Sequence, residues 1–170
     1  MTVNIIVLGT DEKAKATIKE GKISEMPSLQ EGWRFDFRKQ LKNLPNATGY
    51  ILVREDTPRV IEGCMIFQLI DKKKPYLAFV EVAPHNKGDE KKHDYVAGCL
   101  IAYAFKLSLM SGVGEYIGAL HFKIGEKRKE DEIKLMRLYS TKYNAYRLGD
   151  SNIMAIYDAD GEDLITRYLT

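Results

Sequence analysis

Apolar residues recur along this chain with two different spacings, and the spacings predict an alternating α/β order of elements. Continuous or β-branched apolar runs bounded by turn residues are typical of strands. They predict strands over residues 3–8, 49–54, 60–70, 76–83, 116–122 and 152–157. The three central runs are separated only by short polar segments, so we expect them to form an antiparallel meander.

Apolar residues three and four positions apart predict the helices. Thr10 has the chemistry of an N-cap, and Gly21 offers a stop, which predicts a helix over about residues 11–20. Trp33, Phe37 and Leu41 share one face of a second helix predicted within residues 31–44. Further helices are predicted over residues 94–110, 132–143 and about 160–169.

The helix over residues 94–110 is apolar on most sides, with Asp94 placed to cap it, so we expect it to pack inside against a sheet. It then connects strand 76–83 to strand 116–122 by a crossover, which makes those two strands parallel. Ligands of such sheets bind at the carboxyl ends of strands and at the start of the following helix. Residues 84–94 lie at that position.

Composition narrows the class of protein. A length of 170 residues suits one domain over residues 1–170. No apolar run reaches the roughly 20 residues of a membrane span, and no export signal is recognised, so a cytoplasmic protein without a membrane partner is expected. The net charge of +2 does not indicate a nucleic-acid partner.

Cysteine and histidine usage predicts no metal site. Cys64 and Cys99 each lie among apolar residues and are expected to be reduced core residues. The chain has three scattered histidines, with no CxxC and no HExxH spacing.

Three segments resemble motifs of the GNAT superfamily of N-acetyltransferases. The run Val80-Glu81-Val82-Ala83-Pro84-His85-Asn86-Lys87-Gly88 is similar to that family's strand and loop, which read apolar-x-Val-x-Pro-x-x-Arg-Gly. Residues 96–101 resemble its small-residue helix start, and residues 138–145 resemble its late Leu-Tyr helix end. The resemblance implies an α/β GNAT-like fold, with a mixed sheet of about six to seven strands flanked by helices.

The same resemblance implies an N-acetyltransferase that uses acetyl-CoA as co-substrate. A backbone N–H near Val82 would polarise the thioester carbonyl, Tyr139 would protonate the leaving thiolate, and Glu81 or His85 would accept the proton of the amine. A phenol with a pKa of about 10 stays protonated at neutral pH and can donate to a thiolate. The residues expected to bind the cofactor are Val80, Val82, Lys87, Gly88, Tyr95 and Gly98.

Several of these residues also have a purely structural interpretation. Tyr139 lies on an apolar stripe and fits a packed core tyrosine, and Glu81 fits a polar residue on an open strand face. His85 and Gly88 fit a surface turn, and Gly98 fits close packing of helix on sheet.

The loop before the buried helix departs from the family pattern. Gly98 follows Lys87 by eleven positions, about six more than the motif, and the charged residues of the loop cancel. Asp94, as a cap, would compete with a phosphate for helix N–H groups. An inactive GNAT-like domain that binds a CoA thioester or a protein partner is therefore the main alternative.

The acceptor is expected to be a small-molecule or peptide amine. Its groove would be lined by Trp33, Phe35, Asp36 and Tyr146, a mixture of aromatic and acidic groups that suits a cationic amine. A nucleotide-binding scaffold, indicated only by residues 5–10, lacks the glycines that such a fold requires. Small enzymes are commonly dimers, and a homodimer is the assembly to test.

Overall fold

One mixed sheet of nine strands organises the molecule, and the computed structural model describes all residues from 1 to 170. The strands are β1 (Thr2–Val7), β2 (Glu12–Glu20), β3 (Ala47–Arg54), β4 (Ile61–Ile70), β5 (Lys74–Val82), β6 (His93–Asp94), β7 (Ala119–Lys123), β8 (Tyr146–Arg147) and β9 (Ile153–Tyr157). The helices are α1 (Phe37–Asn43), α2 (Val96–Ser111), α3 (Lys129–Tyr143) and α4 (Asp158–Tyr168). The α/β class is confirmed, but the predicted count of six to seven strands is too low.

The strand order is β6-β1-β2-β3-β4-β5-β7-β9-β8. Every neighbouring pair is antiparallel except β5 and β7, which are parallel. The predicted meander of β3, β4 and β5 and the crossover through α2 are therefore confirmed.

The predicted helix over residues 11–20 is wrong, because this segment is β2. Ala14, Ala16 and Ile18 alternate with lysines and threonine, and Ala16 and Ile18 are buried. That alternation has the period of a strand. The polar residues that resembled a helix cap instead form the β1–β2 turn, where the Asp11 N–H donates to the Val7 carbonyl over 2.9 Å.

Two further strands, β6 and β8, have only two residues each, too few for a recognisable pattern. In β6, His93 and Asp94 pair with Val7 and Ile6 at the edge of β1. The six or so extra residues of the loop after β5 therefore carry the chain to the edge of the sheet beside β1.

The helix predicted within residues 31–44 is shorter than expected. Gly32 adopts a φ of 86°, which ends a 3-10 turn, and α1 begins only after Asp36, whose carboxylate accepts from the Lys39 N–H over 3.1 Å. Trp33 lies before the helix, yet its ring still packs edge-on against Phe37 at a centroid distance of 5.9 Å.

The sequence predicts Asp94 as the N-cap of α2, and this prediction is wrong. Tyr95 occupies that position with a φ of 72°, because Asp94 is held in β6. Strand β7 also begins later than predicted, after Gly118 at a φ of 70°. Helix α3 begins earlier, at Lys129, since the acidic residues expected in a loop stabilise its first turn.

The sheet carries a hydrophobic core on each face. The larger core joins the sheet to α2, α3 and α4, with Phe105, Leu100 and Leu120 fully buried. The smaller core lies under α1 and includes Trp33, Phe37 and Ile66. No helix combines the length and the apolar character that a membrane crossing requires.

Candidate functional site

The parallel strands β5 and β7 form backbone pairing at one position only. Their pairing is limited to Tyr76 opposite His121, although β5 continues for six residues to Val82. Next to this contact, β5 carries a bulge: Ile66 pairs with Phe79 and Phe67 with Leu77, which leaves Ala78 unmatched. A bulge bends and twists its strand, so the two strands diverge and leave one edge of β5 open.

A cavity of about 460 Å³ fills the space between the diverging strands. Its walls are residues 76–81 of β5, residues 122–126 of β7 and the following loop, Leu135 and Tyr139 of α3, and the side chains of Arg34, Phe35 and Lys87. Most of the lining is hydrophobic. The expected site residues Val80, Glu81, Lys87 and Tyr139 are therefore brought together here.

Tyr139 reaches the cavity from α3. Its ring packs against Phe122 at a centroid distance of 5.0 Å, and burial raises the pKa of the phenol to about 12. The neutral phenol is therefore the dominant form at neutral pH, and an acid needs that proton. Both interpretations of this residue describe its position: it is packed on the core and it lines the cavity.

Glu81 is a buried carboxylate that interacts with three donors. It accepts from the backbone N–H groups of Arg34 over 2.8 Å and Phe35 over 3.0 Å, and it forms a close ion pair with Lys87. These contacts tie the loop before α1 to the end of β5.

Arg34 also bridges the mouth of the cavity. Its guanidinium makes two hydrogen bonds to Glu126, of 2.8 and 3.1 Å, in the loop after β7. The pKa of Arg34 is raised by its hydrogen bond with Glu126. The pair joins opposite walls of the cavity, but half of the arginine side chain is exposed, so the bridge can open at low cost.

A second, smaller cavity of about 150 Å³ lies at the start of α2. It is lined by Val82, Tyr95 and Gly98, which the sequence assigns to cofactor binding, together with Lys91 and Lys142. No side chain caps the first turn of α2. The only backbone N–H that donates to the Asp94 carboxylate is that of Tyr95, over 2.8 Å. The N–H groups of Val96, Ala97 and Gly98 are thus not claimed by Asp94.

Two lysines gather around Asp94 at this cavity. Lys91 lies 3.4 Å and Lys142 3.9 Å from its carboxylate. Burial by itself raises the pKa of Asp94, but the Tyr95 N–H and these lysines outweigh it and lower the pKa. The sequence prediction missed Lys142, although it lies three residues after Tyr139 and hence on the same side of α3.

The glycine at position 98 has a packing role. A Cβ there would lie 2.3 Å from a ring carbon of Tyr168, which lies across the first turn of α2. Tyr168 also stacks edge-on against Tyr95 at 5.1 Å. Close packing against Tyr168 therefore explains the glycine at position 98 whether or not a ligand binds.

Two expected site residues lie outside both cavities. The Nε2–H of His85 donates to the Glu62 carboxylate over 2.6 Å. Gly88 occupies an exposed turn with a φ of 72° and open space around it.

The residues expected to form the acceptor groove are not assembled as predicted. Only Phe35 lines the larger cavity, whereas Trp33 is buried and Asp36 caps α1. Tyr146 lies exposed on β8, where its hydroxyl donates to Asp160 over 2.8 Å.

Comparisons with solved structures identify the fold. The chain is similar to the structure of the KacTA–DNA complex, with a TM-score of 0.58 and 16% identity over 89% of this chain and 99% of that one. It is similar to AtaTR bound with AcCoA, with a TM-score of 0.57 and 17% identity over 88% and 98%. A GNAT-family acetyltransferase from Staphylococcus aureus Mu50 matches with a TM-score of 0.50 and 10% identity over 84% and 98%.

The chain therefore has the fold of the GNAT superfamily, as its motifs indicate. No family model and no curated protein matches its sequence. At these identities the likeness concerns the fold, and the chemistry has to be argued from the site.

Proposed function

We propose that the chain is an N-acyltransferase that moves the acetyl group of acetyl-CoA to a primary amine. The observation that carries this proposal is the single-residue contact between β5 and β7, which leaves an open strand edge over a hydrophobic cavity. An open edge presents unpaired backbone N–H and C=O groups. The pantetheine arm of CoA carries two amides that can pair with such an edge.

The two cavities follow each other along the chain and suit different parts of this ligand. The larger one is bounded by residues 76–81 and is mostly hydrophobic, which fits the acyl-pantetheine arm. The smaller one begins at Val82 and contains the first turn of α2 with Lys91 and Lys142, which fits the pyrophosphate. AtaTR bound with AcCoA is one of the structures with this fold, and this supports the choice of cofactor.

The proposed reaction is direct transfer. The amine nitrogen bonds to the thioester carbon, and a backbone N–H of residues 80–82 stabilises the oxyanion that forms. The carbon–sulfur bond then breaks, and the departing thiolate takes the phenolic proton of Tyr139. The nitrogen loses one proton to water and the Tyr139 phenolate regains one from water, so the products are the amide and the free thiol of CoA.

Glu81 is assigned a positioning role in this scheme. Its carboxylate is occupied by two backbone N–H groups and Lys87, and it holds the loop of Arg34 against β5. His85 lies outside the cavity, bonded to Glu62. We therefore propose that the amine binds in its neutral form and that its nitrogen gives a proton to water after it bonds to the thioester carbon.

The acceptor is proposed to be a small-molecule or peptide amine that enters beside Arg34 and Glu126. The KacTA–DNA complex shares this fold, but the net charge of +2 does not indicate a nucleic-acid partner for this chain. A nucleic-acid partner is accordingly not part of the proposal.

The test is a thiol-release assay with acetyl-CoA and a panel of polyamines, amino acids, aminoglycosides and lysine peptides. Amine-dependent release of CoA supports the proposal, and mass spectrometry of the acetylated amine identifies the acceptor class. Binding of acetyl-CoA without release by any amine would instead support the inactive CoA-binding domain.

A further inference from the structure

Two of the three histidines of the chain converge on one buried glutamate. Nε2 of His85 lies 2.6 Å and Nδ1 of His93 lies 3.0 Å from the same carboxylate oxygen of Glu62. The three residues come from β4, from the 3-10 turn after β5, and from β6. Glu62 lies 23 positions before His85, and His93 lies 8 positions after it, a spacing that matches no zinc motif.

The backbone aims Glu62 into this cluster. In β4, Gly63 pairs with Leu52 and Ile61 with Val53, so Glu62 is the unmatched residue of a bulge. Bulges redirect a side chain out of the regular alternation of a strand. The carboxylate that results is only 2% exposed.

Glu62 differs from an ordinary buried carboxylate in its partners. Its ion-pair partners are imidazoles only, and its remaining side-chain contact is the amide of Asn86 over 2.8 Å. Neither kind of group carries a permanent positive charge. Buried carboxylates are normally paired with a cation or bound to a metal.

We propose that Glu62, His85 and His93 bind one Zn²⁺ ion. The candidate ligand atoms all lie within 4.8 Å of one another. Ligands of a tetrahedral zinc ion lie about 2.0–2.2 Å from the metal and hence about 3.3 Å apart. The two contacts to Glu62 therefore need to widen by less than about 1 Å, and the two imidazole nitrogens, which lie within 4.8 Å of each other, need to settle at a similar spacing. Two imidazoles and a carboxylate form a common zinc ligand set, with water in the fourth position.

The ion has a route to this site. The side chain of His85 is 28% exposed, whereas His93 and Glu62 are buried behind it. Water can therefore reach the cluster from the His85 side and supply the fourth ligand.

Arg54 is the group that competes with the metal. Its guanidinium lies 3.1 Å from Nε2 of His93, and because it can only donate, Nδ1 carries the ring proton in the metal-free state. Zinc binding at Nδ1 requires that proton to move to Nε2 through solvent, and Arg54 must then turn away. Arg54 also forms an ion pair with Asp56, which can hold its guanidinium after it leaves His93.

The experiment is a calorimetric titration of the whole chain with ZnCl₂ in a buffer free of chelators and phosphate. A single saturable site is expected, and Co²⁺ in place of zinc should give the visible absorption of tetrahedral coordination. Glu62→Gln and His85→Ala are each expected to weaken zinc binding at least about tenfold. Arg54→Met is expected to strengthen it, because the competing donor is gone.

His121→Gln is the matched control, because His121 lies on β7 away from the cluster. It should bind zinc as the unaltered chain does. Circular dichroism checks that each variant is folded. If the Glu62→Gln variant does not fold, the His85→Ala variant provides the test. Absence of saturable zinc binding by the unaltered chain, or equal binding by the His85→Ala variant, would overturn the proposal. Neither result bears on acetyl transfer, which the thiol-release assay measures independently.

Discussion

The two ends of the cleft along β5 differ in the way they are built. At the end near Tyr76, a bulge separates two strands and opens a large, mostly hydrophobic cavity. At the end near Val82, the chain folds back through the start of α2 and leaves a narrow cavity with charged side chains. The first end can surround an acyl-pantetheine arm with hydrophobic side chains, and the second can hold an anion.

This difference separates two kinds of effect. In the proposed mechanism, groups at the wide end, Tyr139 above all, face the reacting atoms and should control kcat. Groups at the narrow end, such as Lys142, would face the non-reacting part of the cofactor and should control its affinity. Substitutions at the two ends can therefore test whether one ligand occupies both cavities.

The largest effect is expected for Tyr139→Phe at the wide end. Loss of the phenolic proton should lower kcat about 100-fold, because the thiolate then leaves without an acid, while KM for acetyl-CoA stays nearly constant. Steady-state thiol release measures both constants.

Tyr146→Phe is the control for this substitution, because Tyr146 is an exposed tyrosine bonded to Asp160. It should leave kcat unchanged. An active Tyr139→Phe enzyme with full kcat would remove Tyr139 from the mechanism.

Glu81→Gln should destabilise the wall of the wide end by about 2 kcal/mol. The two oxygens of Glu81 accept from different backbone N–H groups, so an amide NH₂ must face one of them. Glu62→Gln should cost less than about 1 kcal/mol, since all the side-chain donors meet a single oxygen that Gln retains. Urea denaturation of both variants checks the order, and equal losses would contradict it.

Lys142→Ala at the narrow end should raise KM for acetyl-CoA about three- to tenfold and leave kcat nearly unchanged. The effect is modest because this lysine is 42% exposed and therefore screened by solvent. Lys134→Ala, which removes an exposed lysine from the same helix, is the matched control. A fall in kcat without a change in KM would place Lys142 at the wrong end of the cleft.

The smallest effect is expected from pH. In the proposed mechanism the neutral phenol of Tyr139 is the active form. Burial raises the pKa of Tyr139 to about 12, so this form is lost only at pH values near 12. Tyr139 should therefore cause no decline of kcat between about pH 8 and 10, where an ordinary phenol begins to ionise. A decline centred near pH 10 that disappears in Tyr139→Phe would show that the phenol is not buried in the working enzyme.

Much of the sheet was predictable because its central strands have long hydrophobic runs. The parts that were missed have physical explanations. Strand β2 follows Thr10 and Asp11, residue types that cap helices and form turns equally well. The sequence therefore favours a helix there, although Ala14, Ala16 and Ile18 alternate with the period of a strand. The two-residue strands β6 and β8 depend on pairing with distant segments, which no local pattern records.

The candidate site was predictable for residues within the β5 and α3 motifs and unpredictable for contacts between distant segments. Val80, Glu81 and Tyr139 reach one cavity, as the motifs imply. The assignment of His85 as a base did not anticipate its contact with Glu62, because that contact depends on a bulge in β4. The same bulge explains why the absence of a sequence motif is weak evidence against a metal site.

Isothermal titration of acetyl-CoA into the folded chain tests the central claim most directly. We expect one saturable binding event with a negative heat-capacity change, because the acyl-pantetheine arm is buried in the hydrophobic cavity beside β5. Absence of any saturable binding by a chain that circular dichroism shows to be folded would contradict the account.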